Sequence, residues 1–542
     1  MAAKTRLREE PMNNRAAALA ALTGLLAASA CATPRNGIGA FAGGIDNPAM
    51  APGGPSGIHD GAYAQQSSRW AGPVHGEGLS AQFLATDTFG VPLVGPPYDD
   101  GRRPVWLSTH GFVYKLELSA TQMRVIDALA KPTGLGLQRE GLDAHIAALD
   151  AAETPLAMLR YMSETMRLGE RISSDGVYAV TTADGRILFS EGRNRLVAYG
   201  DAGPEGMEAR VARLGHFEIP ADQLTNPAER LYGLMATFDG HIAFVTTHGL
   251  LGVVATSLDP ATARFLRLSG EGVSNSIAVD ETGGIYVVTD RAMHRVQWTG
   301  EALSLDPASG AWTASYDTGG AQGDIRLGAG SGSTPTLMGG PDDPDRLVVI
   351  TDGAQRMNLV AFWRDEIPAD WPGLPGQERR LAGVFPVTFG DPDQASIQSE
   401  QSVLVSGYGA FVVNNTLASA PAPTPTANVF LSGLPSVAPH GAERFAWDPD
   451  QNRWHGVWAR NDVSFPNTIP FMSAPSGVIY GVGARTTGEW TLLGLDWETG
   501  ATRIDFSLGR SIRWNSTYMP TTVFPDGAIV YGAAFGVVRI GP

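Results

Sequence analysis

Eight times along this chain, a short turn rich in Asp, Gly and Pro feeds into a run of β-branched and aromatic residues. The clearest copy is 274–298, SNSIAVDETGGIYVVTDRAMHRVQW. Ile277 and Val279 alternate with polar neighbours and lead into Thr282-Gly283-Gly284, where the turn needs positive φ. Ile285–Val288 follows, then a polar loop at Asp290 and Arg291, then a third run ending at Trp298. That pattern is a strand–turn–strand–loop–strand meander. The other copies are DDG-RRPVWLST (99–109), ADG-RILFSE (183–191), FDG-HIAFVTT (238–247), PDR-LVVITD (344–352), GYG-AFVVNN (407–415), PSG-VIYGVG (475–483) and PDG-AIVYGA (525–533). A second mark, Asp-Pro with an aromatic six residues after the Asp, closes the third strand in three copies: Asp259…Phe265, Asp306…Trp312 and Asp448…Trp454.

Repeats at roughly 44 to 84 residues, with four strands each, predict an all-β fold, a β-propeller. Eight blades are favoured. Seven is the alternative, because the first copy shows no clear innermost strand. The last copy supplies only three strands before Pro542, so an N-terminal strand at Ala81–Thr86 is expected to complete that blade and close the ring, which removes exposed sheet edges. Two insertions break the pattern. Within 139–170 the apolar spacing turns helical (Leu142, Ile146, Leu149, Leu159, Met162, Met166), and Thr154 before Pro155 is an N-cap signal. This helical insertion lies between the first two blades. Residues 416–441 form a Pro/Ala-rich loop insertion in blade six.

The N-terminus carries a different signal. Ala16–Ala30 is apolar and ends in small residues. It is too short to span a bilayer and reads as a signal-peptide h-region, with Met1 or Met12 as the true start. The run Leu26-Ala27-Ala28-Ser29-Ala30-Cys31 resembles the lipobox of bacterial lipoproteins. That resemblance implies lipidation at Cys31, membrane attachment through that anchor, and a cell-envelope location, periplasmic or outer-membrane. Residues 1–31 are then the signal. Residues 32–68, rich in Gly, Pro, Ala and Ser without periodicity, are expected to be a flexible tether whose removal leaves stability unchanged. The propeller domain is expected to span 69–542.

A formal net charge of −16 excludes a nucleic-acid partner. No P-loop, dinucleotide fingerprint, zinc-spaced Cys/His set or G-x-S-x-G elbow occurs. In a propeller, the loops leading into the innermost strands and the loops between second and third strands share one face. Aligned on the lead-in loops, the repeats offer Asn275, Thr334, Glu400, Asn467 and Asn515 around one axis. One carboxylate with several amide oxygens suits a hard cation such as Ca2+; the plainer alternative is that Asn and Ser satisfy backbone groups at strand starts. The second loop set places His110 (STHGF) and His248 (TTHGL) at matching positions, where a tuned pKa would make either a general base.

The lead-in loops, as in SNSIAVD, resemble those of the calcium-dependent lactonase propellers of the gluconolactonase and paraoxonase type, which usually have six blades. The resemblance implies Asn275, Glu400, Asn467 and Asn515 as calcium ligands and a lactone or ester hydrolase. The closing DWETG turn (Asp496–Gly500) resembles repeats of quinoprotein dehydrogenase-like eight-bladed propellers, whose paired cysteines this single-cysteine chain lacks. Two classes stay open: an exported hydrolase acting at the central channel, and a non-catalytic propeller of the cell envelope that binds a small-molecule or protein ligand on its face.

Overall fold

The computed structural model describes residues 44–542 apart from 54, 172, 174, 321–325, 418–421, 423 and 466–467. It is a ring of eight antiparallel sheets, so the first copy is a full blade. The innermost strands are Val91–Val94, Ala179–Thr181, Leu231–Ala236, Ala278–Val279, Thr336–Met338, Leu404–Ser406, Phe471–Ser473 and Met519–Val523, numbered here as blades 1 to 8. Each of the eight turns read from the sequence falls between the first and second strand of its blade. Gly101, Gly185, Gly240 and Gly283 take positive φ there, at no steric cost because they lack Cβ. The Asp-Pro marks bridge third and fourth strands: the carboxylates of Asp259 and Asp306 accept the backbone N–H two residues on, at 3.0 and 2.9 Å.

The innermost strand of blade 1 escaped the pattern because it reads Val91-Pro92-Leu93-Val94, all buried. Proline is tolerated there because the inner strand is an edge of its sheet. Ring closure is as expected, one residue out of register: Ser80–Ala85 pairs antiparallel with Gly536–Gly541 as the outer strand of blade 8.

Residues 44–68 are not a tether. They enter the channel and run along the inner strands, with Ala62, Tyr63, Ala64 and Gln66 fully or almost fully buried. Asp60, Gly61, Ala64 and Gln66 all take positive φ as the chain bends round the ring. The physical reason is hydrogen bonding. An innermost strand is paired on one side only, and its other edge of N–H groups faces the channel. This segment supplies acceptors to six blades: Pro55 O to Val94, Ser56 O to Thr181, Ala62 O to Val279, Tyr63 O to Leu337, Gln65 O to Val405 and Gln66 O to Met472, all at 2.8–3.0 Å. Ser67–Ser68 then adds a short parallel strand against Met472–Ser473. A Gly- and Pro-rich composition with no periodicity suits a chain that binds strand edges in turn without forming a sheet of its own.

The insertions form a roof on the opposite face. Helix α1 (Leu142–Asp150) and helix α2 (Pro155–Arg160, continued by a wide turn through Thr165) follow blade 1 in the chain. The Thr154 cap is present, its hydroxyl accepting from Ala157 N at 3.1 Å. The roof does not stay beside blades 1 and 2. Leu149 and Met158 share an apolar cluster with Leu431, Leu434, Trp490 and Ile512, and Asp150 accepts from Ile512 N at 2.6 Å. The blade-6 insertion contains a helix, α3 (Pro425–Ser432), started by the same Thr-Pro signal at Thr424. Among the described residues no helix is long and apolar enough to cross a membrane.

A chain starting at residue 44 is expected to melt with the full-length protein, whereas one starting at residue 69 should melt several degrees lower, because six inner edges lose their partners. Calorimetry on the two truncations checks this, and equal melting temperatures would mean the channel segment contributes no stability.

Candidate functional site

Residues 44–68 fill one end of the channel, where they also line a pocket of about 480 Å3 with Arg103 and Ala183; the other end of the channel faces the roof. Its floor there is His59, deeply buried. Gln66 Nε2 donates to its Nδ1 at 3.0 Å, so its Nε2–H faces Thr334 Oγ1 at 3.0 Å. Burial pushes the imidazole pKa down to about 3, so the ring is neutral. Tyr178 packs against this ring at 6.1 Å and meets Tyr232 edge-on at 5.4 Å.

Above them lies Glu400, in the lead-in loop of blade 6, its side chain 3% exposed. Oε2 accepts from Leu327 N at 3.2 Å. Oε1 lies 3.6 Å from Arg326 Nε, and among the described residues neither atom has a hydrogen-bond partner. The guanidinium donates instead to Gly330 O and to Asp352 O. Burial raises the Glu400 carboxyl to about 7, against the opposing pull of Arg326. An ion pair taken out of water repays its desolvation only with good geometry and satisfied lone pairs, and here Oε1 and Nε face each other at 3.6 Å without bonding. Half-buried Tyr518 is a third group of this kind, its buried hydroxyl without a partner among the described residues, and close enough to Glu400 to feel its charge. Beside Leu327 a cleft of about 410 Å3 opens, lined by Arg230, Tyr232, Thr247, Ser274, Asp290 and Leu327 itself.

The residues expected from the sequence divide. Glu400 is central. Asn275 is buried next to the same loop, but its amide nitrogen donates to Ser331 O at 3.1 Å and Ser274 Oγ at 3.3 Å. Asn515 turns toward the roof: it donates to Phe430 O at 2.9 Å and accepts from Thr517 N at 3.2 Å. Both do what the plainer reading assigns them, satisfying backbone groups. Asn467 and Cys31 lie outside the described residues. Ca2+ takes six to eight oxygens and prefers carboxylates; here one carboxyl, facing a guanidinium, is the acidic donor, and among the described residues no three His, Cys, Asp or Glu side chains gather.

His110 and His248 do occupy matching second-to-third-strand turns, in blades 1 and 3. His110 is buried, with Nε2–H donating to Ser173 O and Nδ1 accepting from Thr88 Oγ1, both at 2.9 Å. Burial, with the Lys131 charge, pushes it down to about 4. With both nitrogens committed, it ties two loops together and has no lone pair for a substrate proton. His248 is half-buried, its Nδ1 3.0 Å from Thr247 Oγ1. Sequence reasoning missed Arg326, which sits in a long loop with no motif around it. It also missed Tyr178, Tyr232 and Tyr518, which an alignment of the lead-in positions over all eight blades would have reached.

The ring is an eight-bladed propeller of mostly four-stranded sheets. It is similar in fold to a europium-containing methanol dehydrogenase, with a TM-score of 0.51 over 90% of each chain at 10% identity. It also aligns with BamB from Moraxella catarrhalis over 66% of this chain and 93% of that one, with a TM-score of 0.36 at 8% identity. No protein-family profile matches the chain. By sequence it belongs to one family with an uncharacterized protein of Archaeoglobus fulgidus, 37% identical over 491 residues, which are 89% of this chain and 86% of that one.

The raised carboxyl makes a testable statement about stability. A folded-state pKa near 7 against the ordinary 4.5 means the folded protein holds a proton that the unfolded chain has lost. Stability from this group is therefore full below about 4.5 and falls as pH rises toward 7. Glu400→Gln, which keeps the shape without the charge, should abolish that fall. Relative to wild type it should gain on the order of 3 kcal/mol between pH 4.5 and 8, read by denaturant unfolding at several pH values. A pH-independent difference between the two proteins would contradict the assignment.

Proposed function

We propose that this is an exported propeller of the cell envelope, anchored through Cys31, whose channel mouth hydrolyses a small ester or lactone with Glu400 as the general acid–base group. The observation that carries this reading is the buried Glu400 carboxyl with a vacant Oε1, facing an Arg326 Nε that is also without a partner among the described residues. A carboxyl titrating near neutrality is matched to proton transfer at working pH. As carboxylate it takes a proton from the attacking water while the water oxygen bonds to the carbonyl carbon. The carbonyl electrons move onto oxygen, where the Arg326 guanidinium and the Tyr518 hydroxyl stabilise the charge. Collapse breaks the bond to the leaving alkoxide, and the proton held by Glu400 passes to it. The turn Arg326–Gly330 covers the carboxyl, so it has to shift for substrate to reach Oε1. No step requires a metal.

Against a panel of short esters and lactones, wild type should show activity that rises with pH through an inflection near 7. Glu400→Gln should lose on the order of 10²–10⁴-fold, the usual worth of general acid–base catalysis. Chelator should leave activity and melting temperature unchanged. A calcium-dependent melting shift lost in Glu400→Gln would restore the metal reading, and tight ligand binding without turnover would favour the non-catalytic one.

Lipid anchoring is tested separately. Expressed with its signal, wild type should partition into the detergent phase and Cys31→Ala should not; one acyl chain gives only weak attachment, so the multiple chains of a lipoprotein are needed. Equal partitioning would remove the anchor from the proposal.

A further inference from the structure

The roof contains an apolar cavity that proton transfer at Glu400 does not account for. It measures about 260 Å3 and lies between the 155–165 helical segment and helix α3, walled by Phe89, Leu159, Met162, Val429 and Phe430, with Thr517 at its floor. The polar side chains on its wall are threonines. At ~30 Å3 per water-sized group it holds about eight or nine heavy atoms. A partly open pocket of this size lined by alkyl and aromatic groups offers an apolar guest more burial than it offers water hydrogen bonds. The two insertions that enclose it are not needed to close the ring.

Two observations join this cavity to the carboxyl. Thr517 and Tyr518 are consecutive residues with left-handed backbone, φ +48° and +65°, a strained conformation for a β-branched residue and one that concentrates at functional sites. Both also bury a hydroxyl that has no partner among the described residues. The strained pair puts Thr517 on the cavity floor and Tyr518 beside Glu400. On the other side, Leu327 donates its N–H to Glu400 and borders the polar cleft. One neighbour of the carboxyl, Tyr518, thus follows a residue of the apolar pocket, and another, Leu327, borders the polar cleft.

We infer that the cavity is a tail subsite of the Glu400 site and that the ligand is an amphiphile. Its carbonyl group lies at the carboxyl, and an unbranched aliphatic chain of about eight heavy atoms fills the space between the roof helices. The inference rests on the reading of Glu400 as the reacting centre, but it is tested by binding alone. The full-length protein is titrated calorimetrically with neutral, non-hydrolysable n-alkyl amides: acetamide, hexanamide, octanamide and dodecanamide. Affinity should rise about four-fold per methylene up to octanamide and level off by dodecanamide. Ala427→Phe and Gly169→Leu fill the cavity from opposite walls; a Cβ at Gly169 meets nothing within 4 Å. Each should flatten the series, and using both guards against one failing to fold. Glu400→Gln should keep the slope. No chain-length dependence in wild type, or a slope that survives in both filled variants, overturns the tail subsite. An intact slope in a protein that turns over no ester supports the subsite and overturns only the hydrolytic reading.

Discussion

The structure depends on what happens to the channel-facing edges of its innermost strands. A propeller blade pairs its second strand with its first and third, but leaves the first strand open toward the axis. Eight such edges surround a central hole, each an unpaired row of backbone donors. Here residues 44–68 cap six of them with their own carbonyls. One consequence is stability, since buried donors without acceptors each cost on the order of 1–3 kcal/mol. Another is confinement: the segment packs the channel beneath Glu400.

That confinement explains the state of Glu400. Beneath it the channel is packed with neutral His59 and the Tyr178–Tyr232 pair; above it the Arg326–Gly330 turn excludes water. Stripped of solvent on both sides, the carboxyl is held to its proton up to about pH 7, even with a guanidinium 3.6 Å away. The same burial leaves His59 and His110 neutral. Desolvation therefore acts in opposite directions on acid and base, raising the Glu400 carboxyl and lowering both imidazoles.

Much of the architecture was legible because it is written in local rules. A Gly in a two-strand turn, alternating β-branched residues, Asp-Pro before a last strand, and Thr-Pro before a helix each depend on a few neighbouring residues. Even ring closure by residues near 81–86 followed from counting strands in the last copy. The expected cation ligands show the limit of that logic. Asn275 and Asn515 stand at the aligned position, yet each spends its amide on a carbonyl supplied by a neighbouring loop or helix, Ser331 or Phe430. The alignment could not see those partners.

The sequence by itself determined the repeat, its four-stranded unit, the place of both insertions, and the fact that one carboxylate dominates the lead-in loops. Only the tertiary structure decided that residues 44–68 fill the channel, because their bonding partners come from six different blades. Only it brought Arg326 to Glu400 across 74 residues and α2 to α3 across four intervening blades. The physical reason is the same in each case. Strand and turn formation is settled by period and backbone conformation over a few residues, whereas a desolvated site is settled by which distant groups exclude water together.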